Sequence, residues 1–338
     1  MKPEILFLKQ ENVIKAGVLD MKTILKVEEN TFKKLGEGKV IQPSKIFLGV
    51  PDTDHWTSYG MSMPAYIGGE DPVIGFKWAA EAVNNSKLEG VPYGIDIVIL
   101  SNPETMFPKA ILDGTITTAM RTAGCAALMA KYNARKNSSV IGLVGAGVIG
   151  RTMIMAMNEV LPELTTVKIF DLDKSKADGL AAEFEGKVHV VPMDTLKETV
   201  EDSDVVVTET TSRKPFIDKN LIKKNATVIQ MESKAYDPEL ALEADQIVVD
   251  SWAQTSHLKN SLICSLYEAG KITQDDVIQL QEQAAGQKPG RTSDDQFIFC
   301  ASLGMGSVDI AIANEMYKNA KKMGIGEQLT LWDKPLWI

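Results

Sequence analysis

VIGLVGAGVIGRTMIMAMNEVLPELTTVKIFD, Val140–Asp171, decides the fold of this chain. The apolar run Val140–Val144 predicts a short buried strand and leads directly into the glycine-rich GAGVIG, residues 145–150. A helical segment follows, and a second apolar run, Val167–Phe170, then ends on Asp171, 26 positions after the first glycine. Strand, glycine-rich turn, helix, strand and terminal acid, in that order, predict a dinucleotide-binding βαβ unit.

Each glycine of the loop has a physical reason. Gly145 allows the tight turn, Gly147 lets the backbone approach a pyrophosphate, and Gly150 permits close packing of helix on strand. Free amides at the helix start would hold the phosphates. Asp171 would accept hydrogen bonds from the adenosine ribose and repel the extra phosphate of NADP, so NAD (NADH) is the expected cofactor. The expected cofactor-binding residues are Gly145, Ala146, Gly147, Val148, Ile149, Gly150 and Asp171.

Length and composition limit the class of protein. A chain of 338 residues favours two domains, and 44% hydrophobic with 24% charged residues is ordinary for a soluble enzyme. The net charge of −9 argues against nucleic acid as a partner. No apolar stretch is long enough to span a bilayer, and the charged N-terminus does not resemble a signal peptide, so we expect a cytoplasmic protein without a membrane partner.

Neither cysteine nor histidine spacing indicates a metal site. The cysteines are far apart, odd in number and lack CxxC spacing, which favours reduced, buried thiols. The histidines are equally scattered and form no HxxH or HExxH pair, so no metal is expected. These residues are Cys125, Cys264, Cys300, His55, His189 and His257.

The hydrophobic pattern divides the chain. Residues 21–35 have helical apolar spacing with charges on the other face, and short apolar runs then alternate with turns in an antiparallel pattern. A long helix, residues 116–133, connects this part to a region where strands and helices alternate, as in a parallel doubly wound sheet. The expected fold is therefore α/β, with a Rossmann domain over 124–309 and an α+β substrate and dimerisation domain over 1–123 with 310–338. The antiparallel runs are 45–50, 57–64, 73–79 and 95–101.

Three cationic residues of the first domain are candidates for substrate binding. Lys77, in VIGFKWAAEA, lies among apolar neighbours, where a lysine can bind a carboxylate or pass a proton. The alternative is an edge-strand lysine that reaches water. Arg121, in DGTITTAMRTAG, could clamp a carboxylate through two parallel hydrogen bonds, or it could be an ordinary solvated or salt-bridged arginine. Lys45, in QPSK, is a weaker candidate.

The combination of motifs resembles one family. IGFKW, PKAILDGTITTAMRTAG, GAGVIGR, VVVDSWAQ and KPGRTSDDQFIFCASLGMGSVDIAIA occur in this order, and the chain is similar over nearly its whole length to the ornithine cyclodeaminase and mu-crystallin family. Residues 110–124 are the most specific motif. The resemblance implies NAD(P)-dependent chemistry on small amino acids or cyclic imines, in homodimers joined through the non-Rossmann domain. It also implies that Lys77 and Arg121 contact the substrate carboxylate, with Lys45 in place of the usual assisting arginine.

One motif departs from the family pattern. Cyclodeaminases carry an aspartate in a stretch resembling GADxPGKxEL, where this chain reads QMESKAYDPEL. Ser233 stands at the expected place of that aspartate, with Glu232 before it, and a serine there is similar to the mu-crystallin branch, which reduces cyclic ketimines. A serine hydroxyl cannot serve as a carboxylate base. Glu232 or Asp237 could substitute, and an ordinary loop is the alternative.

We therefore expect an NAD-dependent oxidoreductase that acts on the C–N bond of a small amino or imino acid. Lys77, Ser233 and Glu232 are the candidate catalytic residues, with Lys77 as proton donor to the nitrogen. Lys45, Lys77 and Arg121 are the candidate substrate-binding residues. Two alternatives remain open: an ornithine cyclodeaminase that makes proline and ammonia with catalytic NAD, and a non-catalytic, crystallin-like binding protein.

Overall fold

The structure, a computed structural model, describes residues 4–50, 58–212, 214–231, 234–259 and 261–337. The chain forms two compact units: unit 1 runs to Arg121 and resumes at Met305, and unit 2 is Thr122–Gly304. The second boundary lies before residue 305, whereas the sequence pattern placed it after residue 309. The reason is local, because the Ser307 amide donates to Gln42 Oε1 at 2.7 Å, inside unit 1.

Unit 1 is built on one mixed sheet with strand order β16-β1-β7-β6-β5-β4-β2, and β3 pairs with β4. β1 and β7 are parallel, and the other pairs are antiparallel. The strands are β1 (Glu4–Leu8), β2 (Val40–Ile41), β3 (Ile46–Gly49), β4 (Ser58–Ile67), β5 (Val73–Ala82), β6 (Gly94–Ser101), β7 (Pro108–Asp113) and β16 (Glu327–Thr330). The helices are α1 (Gln10–Lys15), α2 (Met21–Gly36), the first part of α3 (Thr115–Asn133) and α11 (Gly306–Met323), and a 3₁₀ turn spans Val83–Lys87.

The two faces of this sheet differ in chemistry. On β5, Lys77 is 1% exposed whereas its neighbour Trp78 is 37% exposed, as expected for side chains that alternate across a strand. α11 packs on β4, β5 and β6, and Gly306 at its start lies so close to the Met63 carbonyl that an added Cβ would be 2.7 Å from it. Met63 pairs in register with Lys77. The first turn of α11 therefore covers the face on which Lys77 lies.

Unit 2 is a parallel sheet with strand order β10-β9-β8-β11-β12-β15-β13-β14. β8 has β9 on one side and β11 on the other, so the winding direction reverses there, which is where doubly wound folds bind ligands. The strands are β8 (Val140–Val144), β9 (Thr166–Phe170), β10 (Val190–Pro192), β11 (Val205–Thr208), β12 (Thr227–Gln230), β13 (Gln246–Val249), β14 (Val277–Gln279) and β15 (Ile298–Ala301). The helices are α4 (Val148–Val160), α5 (Lys174–Glu183), α6 (Leu196–Val200), α7 (Pro238–Leu242), α8 (Trp252–Thr255), α9 (Leu262–Glu268) and α10 (Leu280–Ala284), with 3₁₀ turns at Lys219–Leu221 and Gln274–Asp276.

The predicted fold class is confirmed: a parallel doubly wound sheet accompanies an α+β unit. The antiparallel runs correspond to β3, β4, β5 and β6. The expected charged outer face of α2 has an exception, because Glu28 is buried. Among the described residues, no helix combines the length and apolar character needed to cross a bilayer.

Candidate functional site

The glycine-rich loop has the shape that a dinucleotide requires. Gly145 follows β8 with φ of 116°, and a Cβ at this position would lie 2.1 Å from the Glu209 carbonyl oxygen. Both facts exclude a side chain. Gly150 is equally constrained, since its Cβ would lie 2.3 Å from the Gly145 carbonyl oxygen. The turn therefore folds back on itself and brings the first turn of α4 against the end of β8.

Gly147 is constrained differently. It is the N-cap residue of α4, makes no side-chain cap, and has no atom within 4 Å of the place where a Cβ would be. Nothing inside the protein therefore requires glycine at this position. Exposed Val148 and half-buried Ile149 follow in the first turn of a 13-residue helix, whose N-terminal amides and dipole favour a phosphate. Open space next to an uncapped helix start fits a pyrophosphate group.

Asp171 lies at the end of β9, beside the loop. Its Oδ2 accepts a hydrogen bond from the Ala146 amide at 2.9 Å, and its Oδ1 accepts one from the Asp173 amide at 2.9 Å. The carboxylate is thus fixed by the backbone on both sides, with lone pairs left over for two ribose hydroxyls. This arrangement fits the ribose-binding acid of a dinucleotide site.

Two further polar side chains lie at the carboxyl edge of the same sheet, and the sequence reasoning missed them. Thr208 and Gln230 end neighbouring strands, β11 and β12, and pair in register. Both are buried, and Thr208 Oγ1 and Gln230 Oε1 have no hydrogen-bond partner among the described residues. Buried polar atoms at the ligand edge of a doubly wound sheet are candidates for cofactor contacts.

Lys77 is the centre of a buried group of charges in unit 1. Its Nζ donates to Thr118 Oγ1 at 2.6 Å and to Asp309 Oδ1 at 3.1 Å, and it lies 3.1 Å from Asp96 Oδ2. Three acceptors thus match the three N–H bonds of the ammonium ion. Because β5 has a partner strand on each side, Lys77 is not an edge-strand lysine that reaches water.

Arg121 joins the same group from α3. Its Nε donates to Asp309 Oδ1 at 3.1 Å, and the side chain is 10% exposed. The two terminal nitrogens have no partner among the described residues. Burial would lower the pKa of Arg121, but the charges of Asp309 and Asp96 and the hydrogen bond to Asp309 together outweigh burial and raise it. We name Lys77, Asp96, Thr118, Arg121 and Asp309 the charge cluster.

The charge cluster contains residues that the sequence reasoning did not single out. Asp309 is 0% exposed and bridges Lys77 and Arg121 through one oxygen. Burial would raise the pKa of Asp309, but Arg121 and Lys77 outweigh it and hold the pKa below its usual value. An available signal was the single acid in the apolar run VDIAIA. Asp96, within GIDIVILS, gave a similar signal on β6.

The remaining sequence candidates are placed as follows. Lys45 is half-buried and directly precedes β3. The next residue, Ile46, pairs with Ser62 of β4. Continued by one step, this register places Lys45 level with Met63 and Lys77, about 10 Å from Lys77 across two strand spacings. Glu232 and Ser233 lie outside the described residues. Among the residues that the structure describes, no group of three His, Cys, Asp or Glu side chains could hold a metal ion.

Comparisons with known proteins agree with this picture. The ornithine cyclodeaminase/mu-crystallin family model matches residues 4–324. A Staphylococcus aureus N-((2S)-2-amino-2-carboxyethyl)-L-glutamate dehydrogenase is 26% identical and covers 98% of this chain and 100% of its own. An archaeal alanine dehydrogenase dimer with bound NAD is 29% identical with a TM-score of 0.87, over 97% of this chain and 100% of that one.

A second solved structure is similarly close. Thermococcus litoralis Δ1-pyrroline-2-carboxylate reductase, in complex with NADH and L-proline, is 26% identical with a TM-score of 0.88, over 96% of this chain and 100% of that one. The relatives are thus named as dehydrogenases and reductases of amino and imino acids, the class expected from the sequence. Since the family model matches nearly the whole chain, the protein belongs to the ornithine cyclodeaminase/mu-crystallin family.

Proposed function

We propose that this protein is an NAD-dependent oxidoreductase that interconverts a small α-amino acid and the corresponding imino acid. The observation that carries the proposal is the buried Arg121 guanidinium, which Asp309 fixes through Nε while both terminal nitrogens are left for a ligand. A fixed planar guanidinium with two free donors suits a carboxylate. The relatives named above act on molecules that carry such a carboxylate next to a C–N bond.

The cofactor, where bound, supplies or accepts a hydride at the carbon of that C–N bond. We propose that the loop from Gly145 to Gly150 holds its pyrophosphate, through the first amides of α4, and that Asp171 holds its adenosine ribose. The open space at Gly147 and the fixed Asp171 carboxylate support these assignments.

For the substrate, we propose that Arg121 clamps the carboxylate and that Lys77 adds a second fixed positive charge. Asp96 and Asp309 both lie against the Lys77 ammonium group, each with a carboxylate oxygen 3.1 Å from Nζ. This arrangement favours an electrostatic and positioning role. The role of Lys77 as proton donor to the substrate nitrogen stays a prediction, as do the catalytic roles of Glu232 and Ser233.

We also propose a homodimer that forms through the exposed face of the unit 1 sheet. Ile46, Trp78 and Ile97 lie in one cross-strand row with Ser62, on the face opposite Lys77, and all three apolar side chains are exposed. Leu48 and Ile95 are exposed in the next row but one along the same strands. A contiguous apolar patch of this kind is typical of an interface. All three cysteines are buried and none forms a disulfide, which accords with the cytoplasmic location that we propose.

The first experiment is absorbance at the reduced-nicotinamide band. The purified protein is offered NAD with a panel of amino acids, then NADH with cyclic imines, and products are analysed after incubation with ornithine. A stoichiometric absorbance change supports the oxidoreductase. Proline and ammonia without a net absorbance change would instead identify a cyclodeaminase, and no turnover across the panel would favour a binding protein. Sedimentation of wild type against Ile97→Lys tests the dimer.

A further inference from the structure

One buried carboxyl group has no role in the function proposed so far. Glu28 lies on α2, is 0% exposed, and neither of its carboxyl oxygens has a hydrogen-bond partner among the described residues. An ionised carboxylate in such a place is strongly unfavourable, because no hydrogen bond from the described residues replaces the water it loses. A neutral carboxylic acid is far less costly to bury. The geometry alone therefore favours an uncharged Glu28.

The charges around Glu28 are those of the charge cluster. α2 packs on α11 and on β2, and β2 carries no titratable residue. The charged groups that act on Glu28 are Arg121 from α3 and Asp309 from α11. Glu315 and Lys318 lie further along α11, where Lys318 pairs with Glu315 and Asp71.

Other polar atoms of the same region are also unsatisfied. Asp309 Oδ2, next to the Oδ1 that binds Lys77 and Arg121, has no partner among the described residues, and neither has Thr117 Oγ1. Thr117 lies one helical turn before Arg121 on α3, so both side chains lie on the same face of that helix. α2, α3 and α11 thus each contribute at least one buried polar atom without a hydrogen-bond partner among the described residues.

Charge balance gives this arrangement a consequence. Lys77 and Arg121 carry two positive charges, and Asp96 and Asp309 carry two negative charges, so the cluster is neutral before substrate arrives. Ionised Glu28 would make it negative. Burial raises the pKa of Glu28 well above its usual range, and the gain from Arg121 is opposed by Asp309. Two nearby carboxyl groups whose pKa values are displaced in opposite directions are typical of functional sites.

We propose that Glu28 is a positioning residue that is held uncharged so that the charge cluster can accept the substrate carboxylate. When Glu28 loses its proton, the cluster becomes negative and its affinity for a carboxylate falls. The proposal rests on the proposed function, because it assigns a carboxylate ligand to Arg121 and Lys77. It adds a residue from α2 and a dependence on pH.

The test compares wild type with Glu28→Gln, which is similar in shape and cannot ionise. The inhibition constant of a simple carboxylate competitor without an amine is measured across the alkaline range, together with KM and kcat. In wild type we expect the inhibition constant to rise by about tenfold per pH unit once Glu28 ionises, because binding then requires uptake of one proton. In Glu28→Gln that rise is absent.

Glu29→Gln is the matched control, since it removes the same charge from the neighbouring, half-buried position. It should retain the wild-type pH profile. An unchanged alkaline rise in Glu28→Gln, or no rise in wild type, would overturn the proposal.

A second measurement does not require activity. The infrared carbonyl band of a protonated carboxyl group should be present in wild type at neutral pH and lost in Glu28→Gln. Absence of the band would overturn the inference even if the enzyme proves to be an oxidoreductase. Presence of the band in a protein without turnover would refute only the proposed function.

Discussion

Replacing Lys77 with Met tests the charge cluster directly, because Met keeps the length of the side chain but removes the ammonium ion. The variant leaves Asp309 and Asp96 buried with one partner fewer each. Removing one partner of a buried ion pair costs about 3–5 kcal/mol. At about 2–4 °C per kcal/mol for a unit of this size, the melting temperature should fall by roughly 6–20 °C.

Turnover should be lost in Lys77→Met, whereas NADH binding should be kept, because the cofactor loop belongs to unit 2. Calorimetry and NADH fluorescence titration measure the two effects separately. The double variant Lys77→Met with Asp96→Asn restores the charge balance and should recover much of the stability without recovering turnover. A Lys77→Met protein with wild-type stability and full turnover would refute both the buried ion pairs and the role of Lys77 in the site.

Three further predictions concern single positions. Arg121→Lys keeps the charge but loses the two-pronged geometry, so KM for the amino acid should rise by roughly 10- to 100-fold, in line with the loss of a charged hydrogen bond; an unchanged KM would remove Arg121 from carboxylate binding. Gly147→Ala adds a Cβ where no protein atom lies within 4 Å, so the melting temperature of the free protein should be unchanged while NADH binding weakens; equal NADH affinity would contradict the pyrophosphate site. The free energy of unfolding should fall as pH rises above the ordinary glutamate range, since Glu28 ionises when unfolded but stays protonated when folded, and urea titrations of Glu28→Gln should lack this component.

Most of the fold could be predicted from local sequence patterns. The Rossmann unit was predictable because its glycines, strands and acid follow one another within 32 residues, Val140–Asp171. The antiparallel runs were predictable because alternation shows on each strand separately. The short strands β14 and β16, of three and four residues, were not predicted, and neither was the six-residue β7.

The site was predictable only in part, and the reason lies in sequence distance. Lys77 and Arg121 were predicted from their motifs, and in the structure both side chains form an ion pair with Asp309. The side chain of Asp309 is 232 positions from Lys77, and a single sequence does not state which acid meets which base. The pattern of residues 21–35 predicted a helix with its charges on the outer face, and it did not single out Glu28, which is buried. A buried acid on the apolar face violates that pattern, as residues at functional sites often do.

The distance in sequence between Asp309 and its partners also determines the order in which the two units can fold during synthesis on the ribosome. Unit 2 is one continuous stretch, so it can fold as soon as Gly304 has emerged. Unit 1 must wait, because Lys77 and Arg121 emerge more than 180 residues before Asp309, the acid that binds both of them. A chain that ends before α11 would therefore have Lys77 and Arg121 in unit 1 without Asp309 to balance their charge. We expect such a fragment to be readily cleaved by proteases.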